Sequence, residues 1–186
     1  MFEMEEMIAR FRAALQEHSP ELAIKEIMSQ ALSNPGEVAA ALGPATKAEI
    51  VALHHSPQLT VLRVIWAPGM SIYPHDHRMW AVIGLYGGQE DNTFFRRGRE
   101  GLVRAGSKDL ERGDAALLGK DVIHAVTNPR GTFAEAIHVY GGDFFNEPRS
   151  EWDPVTLEER PYDVERARRV FAEANAALAA GNASRG

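Results

Sequence analysis

The sequence predicts a mainly β protein, an antiparallel sandwich or barrel of the jelly-roll kind, with helices at both ends. Three observations predict it. Between Leu59 and Phe145, short apolar runs recur at even spacing, each ended by Gly, Pro, Asn or Asp, as strands joined by tight turns would be. Residues 1–50 instead carry apolar side chains at helical spacing, and so do residues 161–180. With 186 residues, 45% of them hydrophobic and 25% charged, the chain is long enough for one domain, 1–186, with a sizeable core.

Each element has its own signal. Met4, Met7, Ile8, Phe11 and Leu15 form one stripe of a first helix. Ser19-Pro20 supplies an N-cap and a first-turn proline for a second helix, which turns Leu22, Ala23, Ile27 and Met28 inward. Asn34-Pro35-Gly36-Glu37 repeats that start, and Thr46 with Glu49 offers a capping box. The predicted strands are LTVLRVIW before the turn APGM, MWAVIGLY before GGQEDN, TFFRR before GRE, AALL before GKD, VIHAVT before NPRG, and TFAEAIHVY before GGDFF. Gln89-Glu90-Asp91-Asn92 is expected to be a polar turn, with an inward-facing acidic Glu90 as the alternative. Gly84 and Gly141-Gly142 are expected at bulges or corners. The last helix is expected to start at Pro161 and to bury Val164, Val170, Phe171, Ala174 and Leu178 ahead of a loose GNASRG tail.

Composition narrows the function. A net charge of −6 argues against sequence-independent nucleic-acid binding and against docking on anionic membranes. Without cysteine there are no disulfides, thiolate metal sites, iron–sulfur clusters or cysteine nucleophiles, so a metal would need nitrogen and oxygen ligands. The acidic, amphipathic start MFEMEEMIARF does not read as a leader, and no window approaches the roughly 20 apolar residues of a membrane span. The expectation is a cytoplasmic monomer or homodimer acting on small molecules.

Only seven histidines are present, and YPHDHRMW places two of them one residue apart. In an extended strand His75 and His77 project the same way while Asp76 points away. Pro74 suits the beginning of a strand and Gly69 the turn before it. A lone His124 lies on a β-rich run between two turns and offers a third imidazole. A single histidine is more often a hydrogen-bonded structural residue, but three with motif spacing point to metal ligation.

Gly69, His75-x-His77 and Gly88 resemble the first motif of the cupins, and Gly113, His124 and Asn128 the second; the resemblance covers residues 59–145. It implies a double-stranded β-helix holding one metal. The glutamate usual in the first motif is absent, its places taken by Ala81 and Val82. Three imidazoles without a carboxylate resemble the thiol dioxygenases, cysteine dioxygenase and its relatives. AIHVYGGDFF is similar to their segment that supplies a histidine and a tyrosine beside the iron, here His138 and Tyr140. Ala136 stands where those enzymes have serine, no cysteine is available to crosslink Tyr140, and AEIVALHH lacks their carboxylate-gripping arginine, which argues against cysteine as the substrate.

The resemblance implies Fe(II), with Zn, Mn or Ni as alternatives, held by His75, His77 and His124. Tyr140 would orient dioxygen, held in turn by His138, and a small thiol would become a sulfinate. The other readings are a cupin hydrolase or isomerase using Zn or Mn as a Lewis acid, and a non-catalytic cupin that binds a metal or small ligand. Met79 and Trp80 are expected to border the pocket, with Arg63 and Arg78, and less strongly Arg96 and Arg97, as anion grips. His54 and His55 are expected as surface residues in a loop before Ser-Pro.

Overall fold

A computed structural model of the chain describes residues 2–99 and 101–183. Three helices come first: α1 (Met4–Ala14), α2 (Pro20–Ala31) and α3 (Pro35–Leu42). Pro20 and Pro35 occupy first turns as predicted, but neither Ser19 nor Asn34 caps through its side chain. Met7, Phe11, Ile24, Met28 and Val38 turn inward, each contributing about 1.5–3 kcal/mol by leaving water. Leu22, expected among them, is 55% exposed, because the inner face of α2 runs through Ile24 and Met28.

Among the described residues eleven strands follow: β1 (Glu49–His55), β2 (Thr60–Trp66), β3 (Ser71–Asp76), β4 (Ala81–Gly87), β5 (Gln89–Gly98), β6 (Gly101–Glu111), β7 (Ala115–Leu118), β8 (Ile123–Thr127), β9 (Ala134–Tyr140), β10 (Ser150–Trp152) and β11 (Glu159–Pro161). They form two antiparallel sheets, ordered β1-β2-β9-β4-β7 and β11-β10-β3-β8-β5-β6. The inner strands β2-β9-β4-β7 against β3-β8-β5-β6 make the eight-stranded double sheet of a jelly roll. Leu62, Val64, Ile83, Leu85 and Ala136 fill the space between the sheets together with Ile72 and Val126. On the opposite face of the first sheet, Val61, Val82, Ile137 and Val139 pack under α1 and α2. Both faces are covered, so β4 reads as an unbroken apolar run rather than an alternating one, and β2 is interrupted only by Arg63.

Several local expectations give way to sheet pairing. Residues 46–49 form no capping box, because Glu49 opens β1, and His54-His55 end that strand opposite Val61 and Thr60 rather than lying in a loop. Gln89–Asn92 is the start of β5, not a turn. Gly84 is not at a bulge: a Cβ there would come within 2.4 Å of Met28 Sδ, so the bare backbone lets α2 lie on β4. Gly141 likewise makes room for the indole of Trp80. Pro161 closes β11, and the final helix, α4 (Val164–Ala183), starts three residues later than expected. Val164 is 47% exposed, whereas Ala167 and Phe171 are buried, and Phe171 packs 5.5 Å from Trp66 at the barrel mouth. The expected loose tail GNASRG is helical through Ala183, and its last three residues lie outside the described residues. Among the described residues no helix is long and apolar enough to cross a membrane.

Candidate metal centre

β3 and β8 are neighbours, and their register sets His75 directly opposite His124. Both imidazoles point between the sheets. His77 lies just past the end of β3, yet its Nε2 is 3.2 Å from Nε2 of His75 and 3.3 Å from Nε2 of His124. Three nitrogens about 2.05 Å from one ion, at mutual angles near 100°, would be about 3.1 Å apart, so the spacing fits a divalent cation. Proton placement fits as well. His75 Nδ1 donates to the Tyr73 carbonyl (3.0 Å) and His124 Nδ1 to Asn92 Oδ1 (2.7 Å), which leaves both Nε2 atoms with a free lone pair. Burial pushes His75 down to about 4 and takes His77 and His124 well below their ordinary value, so all three are neutral near pH 7, as ligation requires. The middle residue of the pair turns away: Asp76 Oδ1 accepts from the Ser150 amide (2.7 Å), and Oδ2 pairs with Arg78.

A second buried polar group adjoins the first. On β9, His138 and Tyr140 share a face, and the Tyr140 hydroxyl lies 3.0 Å from His138 Nδ1. The Tyr140 ring meets His77 edge-on at 5.0 Å. Behind them stands Glu90, fully buried, which accepts from Trp66 Nε1 (2.9 Å) and Asn92 Nδ2 (3.0 Å) and lies 3.5 Å from His138 Nε2. Burial alone would raise its carboxyl pKa, but the contacts with His138, Asn92 and Trp66 hold it below the usual value. Tyr140 is raised by burial and stays a phenol.

His75, His77, His124, His138 and Tyr140 line one inner cavity of about 30 Å³, room for an ion and a water-sized ligand. Ile50, Phe144 and Tyr162 line it too, and the same three residues border an outer cavity of about 420 Å³ that also contains Arg149. The guanidinium of Arg149 is sandwiched 4.1 Å from the rings of both Phe144 and Tyr162. One end donates to the Phe144 carbonyl, while Nε is buried without a partner among the described residues. A larger cavity, about 820 Å³, lies on the outer face of the six-stranded sheet beside Thr93, Ala125 and Arg169, and none of the three histidines lines it.

No known protein-family profile matches the chain. Among solved structures it is similar to an RmlC-like cupin family protein with a double-stranded β-helix fold from Methanocaldococcus jannaschii: 11% identity, 54% of this chain and 85% of that one covered, TM-score 0.46. It is also similar to a cupin superfamily protein from Desulfitobacterium hafniense, at 18% identity, 56% and 87% coverage and TM-score 0.45. A third is a protein with a double-stranded β-helix domain from Klebsiella pneumoniae, at 15% identity, 59% and 83% coverage and TM-score 0.46. The jelly-roll architecture rests on this chain's own strand order rather than on these likenesses.

The remaining predicted site residues fall elsewhere. Arg63 is on the outer face of the first sheet, donating to the Tyr86 hydroxyl (2.9 Å) and the Gly43 carbonyl (2.8 Å). Arg78 adopts a positive φ of 58° and pairs with Asp76 at the rim. Arg97 pairs with Glu159, and Arg96 is exposed. Met79 packs on Gly142 and Trp80 on Gly141, and neither lines the inner cavity. Asn128 is structural, donating to the carbonyls of Trp66, Ala67 and Thr132. Sequence reasoning missed Arg149, Phe144, Tyr162 and Asn92. For Asn92 a signal existed: Glu90, Asn92 and Phe94 alternate along β5, and Phe94 stacks on His124 at 6.5 Å.

Proposed function

We propose that the protein is a thiol dioxygenase of the cupin kind, which adds both atoms of dioxygen to the sulfur of a small mercapto acid. The observation that carries this reading is the Tyr140–His138 pair in the wall of the cavity where three neutral imidazoles converge without a carboxylate. Fe(II) held by His75, His77 and His124 would keep its full charge and supply open positions for the thiolate and dioxygen. The overall change, a thiol plus dioxygen giving a sulfinic acid, balances without an added reductant.

The chain's own residues would do the rest. Arg149, wedged between two rings with Nε unpaired, would hold the substrate carboxylate, the task for which AEIVALHH offers no arginine. Phe144 and Tyr162, at the neck between the two cavities, would exclude water from the inner one. Tyr140, its hydroxyl steadied by His138, would orient the small molecules bound there.

The test is dioxygen uptake and sulfinate formation by protein verified to hold Fe(II), with cysteine, cysteamine and mercapto acids as substrates. Uptake is expected with the mercapto acids. Tyr140→Phe should keep fold and metal while turnover falls about 10²–10⁴-fold, the usual contribution of a positioned proton-handling group. No uptake with any thiol would favour a Lewis-acid enzyme using Zn or Mn, or a binding cupin. Normal turnover in the Phe variant would leave Tyr140 without its role.

A further inference from the structure

Glu90 is neither in the inner cavity nor among the nitrogens that would hold the ion, yet it touches both arms of the site. Its carboxylate faces three nitrogens. The Trp66 indole can only donate. The Asn92 amide must present its NH₂ to Glu90, because its oxygen faces His124 Nδ1. His138 Nε2 has no other partner among the described residues and stands 3.5 Å from Glu90 Oε2. A bare lone pair facing a buried carboxylate would be repelled, so the proton belongs on that nitrogen. In the neutral ring Nδ1 of His138 is then an acceptor, and the Tyr140 hydroxyl donates to it.

We propose that Glu90 is the positioning residue that sets the protons on both arms. Through Asn92 it keeps the proton of His124 on Nδ1 and its Nε2 bare for a metal. Through His138 it keeps the Tyr140 hydroxyl proton on the Nδ1 side until a molecule bound in the cavity offers a better acceptor. This deepens the proposed function, resting on it only for what the cavity binds; the proton positions are a property of the chain.

Glu90→Gln tests it, because one amide cannot serve three donors. With its oxygen toward Trp66 and His138, its NH₂ meets the NH₂ of Asn92. Asn92 then flips and donates to His124 Nδ1, which moves the His124 proton to Nε2. With its oxygen toward Asn92 instead, its NH₂ faces His138 Nε2, that ring moves its proton to Nδ1, and the Tyr140 hydroxyl swings toward the cavity. Either way one imidazole changes tautomer. The readout is the set of imidazole ¹⁵N shifts in long-range ¹H–¹⁵N spectra of the full-length protein, stripped of metal, with Zn(II) affinity measured alongside.

The unaltered protein should show His124 protonated on Nδ1 and His138 on Nε2. In Glu90→Gln one of them should switch, and Zn(II) affinity should fall about 10–100-fold if it is His124. Adding Trp66→Phe removes the donor that competes with Asn92, so the double variant should keep His124 protonated on Nδ1, with the Zn(II) affinity of the unaltered protein, and switch His138 instead. Retention of both tautomers in Glu90→Gln would overturn the proposal. So would His138 protonated on Nδ1 in the unaltered protein, a result that holds even if the variant fails to fold. Neither readout involves thiol oxidation, so failure of the dioxygenase reading would leave this result interpretable.

Discussion

Replacing Arg149 by Met should separate acidic thiols from other thiols. The guanidinium is already sandwiched between Phe144 and Tyr162, each 4.1 Å away, and anchored at one end on the Phe144 carbonyl. A carboxylate that meets the edge carrying the unpaired Nε therefore needs little further side-chain ordering. A charge-assisted hydrogen bond is worth about 1.5–3 kcal/mol net. At about 1.4 kcal/mol per tenfold, that is roughly a 10- to 140-fold loss of affinity for a mercapto acid. Met keeps apolar bulk between the rings, so Phe144 and Tyr162 should not collapse into the gap. The assay is KM for 3-mercaptopropionate and for cysteamine in dioxygen uptake, backed by calorimetric binding of 3-mercaptopropionate to Zn(II)-loaded protein. The expected result is a KM and a dissociation constant raised by that factor for the acid, with cysteamine unchanged. Arg149→Lys should be intermediate, because it keeps the charge and loses the fork. Equal changes for both thiols, or none, would refute the reasoning.

The other predictions concern the metal centre itself. His75→Ala and His124→Ala should each purify with metal content well below one ion per chain while keeping the β-sheet circular dichroism; unchanged content in either would move the site elsewhere. In metal-stripped protein, burial lowers His75 from 6.5 to about 4, so below pH 6.5 the unfolded chain takes up the proton first. The stability this group contributes is complete above 6.5 and lost as pH falls toward 4, on the order of 1 kcal/mol by pH 5.5, with His77 and His124 acting in the same direction. Urea midpoints measured between pH 7.5 and 5.5 should fall accordingly, and a flat profile would contradict the burial of neutral imidazoles.

The parts of the fold that were legible in the sequence are those buried along most of their length. β2, β4, β8 and β9 carry apolar side chains on the face or faces they bury, and the runs predicted for them fall on the observed strands. β6 was not legible, because only Leu102 and Leu110 of its eleven residues are buried; it is an edge strand held by its hairpin with β5. β10 and β11 are three residues each, too short for any period to register. Residues 46–55 went astray for another reason. A local helix-start signal was outweighed by antiparallel pairing of β1 along β2, a long-range interaction with no local marker.

The same distinction governs the site, and Asp76 shows where it operates. Two-residue periodicity indicates that His75 and His77 converge and that Asp76 faces the other way, but not what Asp76 faces. Its carboxylate accepts the Ser150 amide, and one residue further on Glu151 pairs in register with His75. Glu151 is itself buried, taking hydrogen bonds from Arg166 and from the Asp163 amide, so β10 is clamped between β3 and the start of α4. With Ser150 and Glu151 fixed there, Arg149 has to lie immediately before them, at the outer end of the histidine cavity. The middle residue of the His-Asp-His motif thus holds in place the strand that delivers the cation. That relation spans more than 70 positions of sequence and runs through backbone contacts with no local marker, which is why the three converging histidines could be read from spacing and Arg149 only from the folded chain.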